Sequence, residues 1–351
     1  MKTIDADAHV IETPTTWSYM REDEQEFRPK IFERNPNDGA PFHANGRNQY
    51  WVVGEKMLSK GNNVGSDVPL EAQILEDIAQ RLEHMDEIGV DVQVLFNSLI
   101  LRPITTEPDV EFALVRSYNR WLADVWKKGE GRLRWTMCPP LLSLSDRDLV
   151  REELEFCKEN GACGIFMRGF ECERHLSHRY FFPLYELAQE LNLPITLHAG
   201  INSSPYHDML VNRSGLLTFK FPVIGAFHCL LEDGIPERFP GVRWAFVETS
   251  AQWLPYVLGE ARINIPRKGR RVADDLLGDN NMYVTTQKTD DLASIINEVG
   301  DDNLVIGTDY GHKDVATELD ALKRLASDGA ISTQSARKIL QDNPSRLYGI
   351  S

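Results

Sequence analysis

No stretch of the chain approaches the roughly eighteen consecutive apolar residues that a membrane span needs, so none is expected. The N-terminus carries one lysine with no apolar tract behind it, so no secretory signal is expected either. Basic residues are scarce. Lys and Arg number 38 against 53 Asp and Glu, a formal net charge of −15. That balance argues against nucleic acid and anionic lipid as partners. The five cysteines are an odd count and form no C-x-x-C pair. Reduced, mostly buried thiols in a cytoplasm are expected, rather than disulfides or a zinc knuckle. No internal repeat and no low-complexity tract is present.

What is there is a chain of 351 residues, 42% apolar, enough for a large core. Short apolar runs alternate with longer helical patterns. The runs predict strands near 3–9, 91–96, 133–138, 163–167, 194–198, 242–247, 281–285 and 303–307. Helices are expected near 73–88, 108–128, 146–160, 181–191, 216–232, 250–263 and 290–299. Two more, 315–326 and 332–347, would pack the C-terminal part, 315–351, outside. Eight strands alternating with helices suggest a parallel sheet closed into a (β/α)8 TIM barrel, one domain over 1–351. The rhythm breaks at 14–72, which is rich in Pro, Gly and Asn and contains QYWVVG. It reads as an insertion after the first strand that carries a small hairpin and caps the catalytic mouth.

The first strand, IDADAHV, alternates polar and apolar residues. Asp5, Asp7 and His9 would then share one face, which is costly in a dry core unless something positive lies beside them. In such barrels chemistry gathers at the C-terminal ends of strands. Standing there are Asp7 and His9, Arg168 (GIFMRG), His198 (LPITLHAG), Glu248 (VRWAFVETS) and Asp309 (LVIGTDYGH), with His312 just beyond. Two carboxylates and two imidazoles converging on one mouth make a divalent-metal site.

These motifs, with HMDEIGVDVQVLF, RSYNRWLADV, IPERFPGVRWAFVE and KILQDNPSRLYGI, resemble the amidohydrolase superfamily in its aminocarboxymuconate-semialdehyde decarboxylase-like branch. The resemblance implies one divalent metal, Zn or Mn, held by Asp7, His9, His198 and Asp309. It implies non-oxidative removal of CO2 from aromatic or dienoic acids, or, in other members, hydrolysis or hydration. Many relatives read H-x-H where this chain has D-A-H, and a carboxylate there shifts preference toward Mn²⁺. Many also carry a histidine after strand 6. Here that region is VETSAQWLP, and Glu248 is the nearest titratable stand-in.

The expected function is therefore a metal-dependent carboxy-lyase acting on a small, aromatic carboxylic acid. Asp309 or Glu248 would protonate the ring carbon. The alternative is a hydrolase that activates water against an amide, lactone or C–C bond on the same site. A non-catalytic binding protein on a degenerate barrel is a third reading. Arg168 and His312 are substrate-binding candidates. Trp17, Trp51 and Trp253 are candidates for an aromatic pocket wall. Trp121, Trp126 and Trp135 read as core, and His228 as a histidine on a helix outside the barrel. The insertion and the apolar stretch near 99–104 allow a homodimer, which the resemblance also implies.

Overall fold

The computed structural model describes residues 2–33, 49–60, 65, 68–210, 215–312, 327, 329 and 331–350. Eight parallel strands form one sheet in chain order. They are β1 (Ile4–His9), β2 (Val92–Phe96), β3 (Leu133–Met137), β4 (Ala162–Arg168), β5 (Ile195–His198), β6 (Trp244–Val247), β7 (Met282–Thr286) and β8 (Leu304–Ile306). Just past β8 the chain turns back onto β1. Ala8 bridges Tyr310, the His9 N–H donates to the Tyr310 carbonyl (2.9 Å), and the Asp309 N–H to the Asp7 carbonyl (2.9 Å). The result is the expected (β/α)8 barrel. β4 and β5 are buried along their whole length, as a parallel sheet covered on both faces requires.

The helices fall close to their expected places, and the shifts have local causes. Helix Pro108–Lys128 has proline at its start, Asp109 and Glu111 in its first turn and two lysines in its last, all favoured by the helix dipole. The helix expected at 73–88 begins only at Ile78. Leu75 takes a left-handed conformation (φ 57°), and Asp77 then caps the helix by accepting from the Gln80 N–H. The segment expected as 216–232 is a π-turn, Leu216–Lys220, running into helix Phe221–Glu232. Pro222 has no N–H to close an ordinary turn there. The helix expected from 250 starts at Leu254, because Glu248 and Ser250 both have positive φ. The C-terminal helix is Thr333–Arg337, a π-turn, and Asn343–Tyr348. Its Tyr348 hydroxyl donates to the Ala6 carbonyl and its Asn343 amide to the Leu304 carbonyl, which ties β1 to β8 from outside. The helix expected at 315–326 lies outside the described residues.

β1 corrects one expectation. Its pairing with β2 runs Asp5 to Gln93 and then Ala8 to Leu95, so β1 holds one extra residue between Asp5 and Ala8. Such a bulge flips the side-chain alternation. Asp5 therefore lies with Gln93 on the outer face, toward helix Ile78–Ile88, while Asp7 and His9 lie inside with Phe96. Asp5 finds its partners there. Its carboxylate accepts from the Thr308 N–H (2.9 Å), the Thr308 hydroxyl (2.6 Å) and the Gln93 amide (3.2 Å). Gln93 in turn accepts from Arg81 (2.7 Å), which stacks on the Tyr310 ring at 3.7 Å. Burial pushes the Asp5 carboxyl up to about 7, against these donors.

The insertion contains the hairpin Gln49–Val53 and Lys56–Ser59, extended to three antiparallel strands by Lys30–Glu33. Arg102 reaches Ser59 Oγ (3.3 Å), and Lys56 reaches the Pro103 carbonyl (3.5 Å). The Gly65 N–H donates to the Gly311 carbonyl (2.9 Å). The insertion thus bonds to the loops that follow β2 and β8, at the C-terminal end of the barrel. Among the described residues, no helix is long and apolar enough to cross a membrane. The five cysteines are unbonded, three of them fully buried.

Candidate metal centre and adjoining cavity

Asp7, His9, His198, Asp309 and His312 meet inside the mouth of the barrel. One donor atom from each of Asp7, His9 and His198 lies within 4.8 Å of the others, and the same holds for His9, Asp309 and His312. His9 and His198 are wholly buried, and Asp7 and Asp309 nearly so.

The hydrogen bonds of the two buried imidazoles fix which nitrogen carries the proton. His9 Nδ1 faces the Asn97 carbonyl at 2.9 Å, and His198 Nδ1 faces the Ala199 carbonyl at 2.7 Å. A carbonyl only accepts, so Nδ1 carries a proton in both rings, and each neutral ring presents a lone pair at Nε2. Those lone pairs face other acceptors. His198 Nε2 lies 3.1 Å from Asp7 Oδ1, and His9 Nε2 lies 3.5 Å from Asp7 Oδ1 and 3.2 Å from Asp309 Oδ1. His9 Nε2 makes no hydrogen bond among the described residues. Acceptor against acceptor in a dry site is repulsive, and a cation between them relieves it.

Titration separates the two rings: His9 is held neutral, whereas without an ion His198 Nε2 holds a proton toward Asp7, the position a cation would take. Burial, with His312 and His198 nearby, holds His9 well below its usual value. Burial also opposes charge on His198, but the Asp7 carboxylate and its hydrogen bond overcome that, and its pKa rises. Burial raises Asp309 despite His312 beside it. The residues fit a divalent ion: two imidazole nitrogens and two carboxylate oxygens, each imidazole oriented by a backbone carbonyl.

A third group with metal-type donors, His175, Cys229 and Asp233, lies on the outer surface. It needs no cation. The Ser177 hydroxyl sits among the three, 2.7 Å from His175 Nδ1 and 3.1 Å from Cys229 Sγ, and donates to Asp233. Lys268 neutralises Asp233 at 2.6 Å.

Other expected site residues take different places. His312 links Asp309 (2.9 Å) to the Ser98 hydroxyl (2.8 Å) and stacks on His9 at 3.9 Å. Glu248 sits 3.6 Å from His198 Nδ1. Both Glu248 (φ 62°) and Asp309 (φ 54°) are left-handed, a strained backbone for side chains other than glycine and one that collects at functional sites. Arg168 is the partner of His198 across β4 and β5. It is closed by Glu171, which accepts from its N–H, Nε and Nη2, and its Nη1 donates to the Ile100 carbonyl. The arginine expected to bind substrate is thus engaged in an internal ion pair. Trp17 and Trp51 are buried edge-on against one another, and Trp253 packs on Phe227. None of the three lines the cavity described next.

That cavity, about 100 Å³, opens among the loops after β2, β3, β4 and β5. Ile104, Val115, Leu141 and Phe166 form apolar wall, and Arg102 and Arg168 polar wall. Its one aromatic ring, Phe166, lies 6.4 Å from the His198 ring, so cavity and metal centre share a wall. Sequence reasoning missed Arg102, and also Glu12, three residues past His9. Glu12 is buried and accepts from the Ser98 (3.0 Å) and Leu99 (2.9 Å) amides. Burial pushes it up to about 7. Its signal, an acid directly following an apolar strand end in DAHVIE, was present in the sequence.

The sequence pattern of a family described as Amidohydrolase matches residues 4–350. No curated protein sequence matches the chain. Among solved structures, the fold is similar to an amidohydrolase from Mycobacterium avium subsp. paratuberculosis K-10. The TM-score is 0.78 at 16% identity, over 100% of this chain and 98% of that one. It is also similar to a dihydroxybenzoic acid decarboxylase from Polaromonas sp. JS666, solved with bound manganese and the inhibitor 2-nitroresorcinol. There the TM-score is 0.65 at 19% identity, over 99% and 97% of the two chains. A third is 4-oxalomesaconate hydratase from Rhodopseudomonas palustris, with TM-score 0.64 at 17% identity, over 99% and 96%.

Proposed function

The chain belongs to the amidohydrolase family, and from that premise we propose that it is a metal-dependent carboxy-lyase acting on a small, aromatic carboxylic acid. The observation that carries this is the facing of the His9 and His198 lone pairs onto Asp7 and Asp309, an arrangement that a divalent cation satisfies. With two carboxylates among the four donors, manganese suits the set at least as well as zinc. A divalent ion held there supplies Lewis-acid polarisation of the oxygens of a bound acid.

The chain's own groups supply the rest. Asp309, pushed toward its neutral form by burial, shares a proton with His312 Nδ1 across 2.9 Å. That proton goes to the ring carbon bearing the carboxylate. The C–C bond breaks, CO2 leaves, and the bonding pair returns to the ring. His312, held by Ser98, reloads Asp309 from the mouth side. Charge spreads out of the carboxylate as the bond breaks, so the burial of Asp7, His9, His198 and Asp309 suits the reaction. The similarity to a decarboxylase supports the same reading. An ionised Asp309 could instead take a proton from water, which is the hydrolytic alternative, and the similarity to a hydratase is consistent with it.

The test is metal analysis of protein purified without chelator, beside an Asp7→Ala/His198→Ala variant, followed by a screen of hydroxybenzoic acids in ¹⁸O-labelled water. About one equivalent of Mn or Zn, lost in the variant, with CO2 release and no label in the organic product, is the expected result. Label in the product of an aryl amide or lactone tested alongside selects the hydrolase. Failure to take up either metal overturns both enzyme readings and favours a binding protein.

A further inference from the structure

Arg102, on the loop after β2, lines the cavity beside Arg168, but the two arginines differ in their partners. Arg168 is closed by Glu171. The one hydrogen bond of Arg102 runs from Nη1 to Ser59 Oγ at 3.3 Å, and its buried Nε has no partner among the described residues. No carboxylate there forms an ion pair with it. Glu12 is near enough to be felt, but both its oxygens are taken by the Ser98 and Leu99 amides.

The acids around the cavity are each accounted for. Glu171 belongs to Arg168. Glu111 accepts from the Leu142 amide at 2.6 Å, and burial pushes its carboxyl up to about 8, toward the neutral form. Glu173 accepts from the Ser203 hydroxyl and faces Lys56. Among the described residues, Arg102 is the arginine of this cavity that forms no ion pair. A largely desolvated guanidinium without an anion is unfavourable, and a planar fork of donors is what a carboxylate fits.

We propose that Arg102 anchors a second acidic group of the substrate, so that the acids taken by this protein carry two anionic groups, one at the Asp7–His9–His198–Asp309 centre and one in the Arg102 cavity. This assignment rests on the metal-centre reading above. Phe166 forms the shared wall, which places the two subsites on one molecule. At about 100 Å³ the cavity is smaller than the ~150 Å³ apolar cavity that accepts a benzene ring, so it suits a carboxylate and its nearest carbons rather than a second ring.

Titration calorimetry of the manganese-loaded protein with benzoate and with benzene-1,3-dicarboxylate tests it. The wild type should bind the diacid about tenfold more tightly or better, the scale of one charge-assisted hydrogen bond. Arg102→Met should erase that preference and leave benzoate affinity within about twofold. Arg102→Lys, which keeps the charge and loses the fork, should retain part of it. It also serves as the test variant if the methionine form does not fold. Equal binding of the two acids by the wild type, or a preference that survives in both variants, overturns the assignment while the metal-centre reading stands. If neither acid binds although manganese is taken up, the assignment is overturned as well. If manganese itself is not taken up, both fall.

Discussion

Thr308 stands between β8 and Asp309 and carries much of the load of that junction. Its N–H and hydroxyl both donate to Asp5, the hydroxyl at 2.6 Å, and the hydroxyl accepts from the Tyr310 N–H at 3.2 Å. Thr308→Val keeps the shape and deletes both hydroxyl bonds. A buried hydrogen bond to a carboxylate is worth about 1.5–3 kcal/mol, and an orphaned buried N–H costs about 1–3. With partial relaxation, the loss should be about 3 kcal/mol. Thr308→Ser is the control: it keeps the hydroxyl and gives up one methyl, about 1 kcal/mol. Urea unfolding of both metal-free variants near neutral pH reads the difference, with the slope checked for two-state behaviour. Metal affinity gives a second readout. Asp309 follows directly at φ 54° and its N–H bonds the Asp7 carbonyl. The valine variant should therefore bind Mn²⁺ about tenfold more weakly, the scale seen when groups orienting metal ligands are lost, and the serine variant close to normally. Equal stability of the two variants, within about 0.5 kcal/mol, would refute the view that this clasp sets the end of β8.

Four further outcomes follow from the same geometry. In Gly307→Ala the new Cβ would fall 2.2 Å from the Asp7 Cβ, so the variant should fold less stably and lose metal, read by metal analysis after dialysis. Glu12, lifted by burial from 4.5 to about 7, binds its proton more tightly folded than unfolded. Its contribution is full below pH 4.5 and is lost as pH rises toward 7, at most about 3 kcal/mol, and Glu12→Gln should flatten that part of the stability profile. Glu171→Gln leaves Arg168 buried and unpaired and should cost about 3–5 kcal/mol in denaturant titration, more than the double change Arg168→Met/Glu171→Gln. Asp309→Asn should abolish turnover of any acid that the wild type decarboxylates; intact metal content together with intact turnover would remove Asp309 from the mechanism.

The barrel was legible because its signal is periodic and local. Apolar runs of strand length alternate with helical patterns, and the chemistry-bearing residues stand where those runs end. Those ends bring Asp7, His9, His198 and Asp309 to one mouth of the barrel. The misplacements share a physical origin. The outward turn of Asp5 depends on one extra residue in β1 relative to β2, which is a property of two strands in register and not of either alone. Trp17 and Trp51 satisfy each other edge-on, and nothing in either one's neighbours along the chain announces that contact.

The arginines make the point with consequences for function. Arg168 follows a barrel strand and looked like an anion clamp, whereas Arg102, in the apolar stretch LILRP, drew no notice. In the fold their roles separate by partnership: Glu171 encloses the first, and among the described residues no carboxylate pairs with the second. The same criterion separates the two clusters of metal-type donors. At His175, Cys229 and Asp233 a serine hydroxyl completes the hydrogen bonding. At Asp7, His9, His198 and Asp309 acceptors face acceptors. Residue type names the groups able to bind a ligand, but binding capacity belongs to those that folding leaves unsatisfied, and that is settled only when every neighbour is in place.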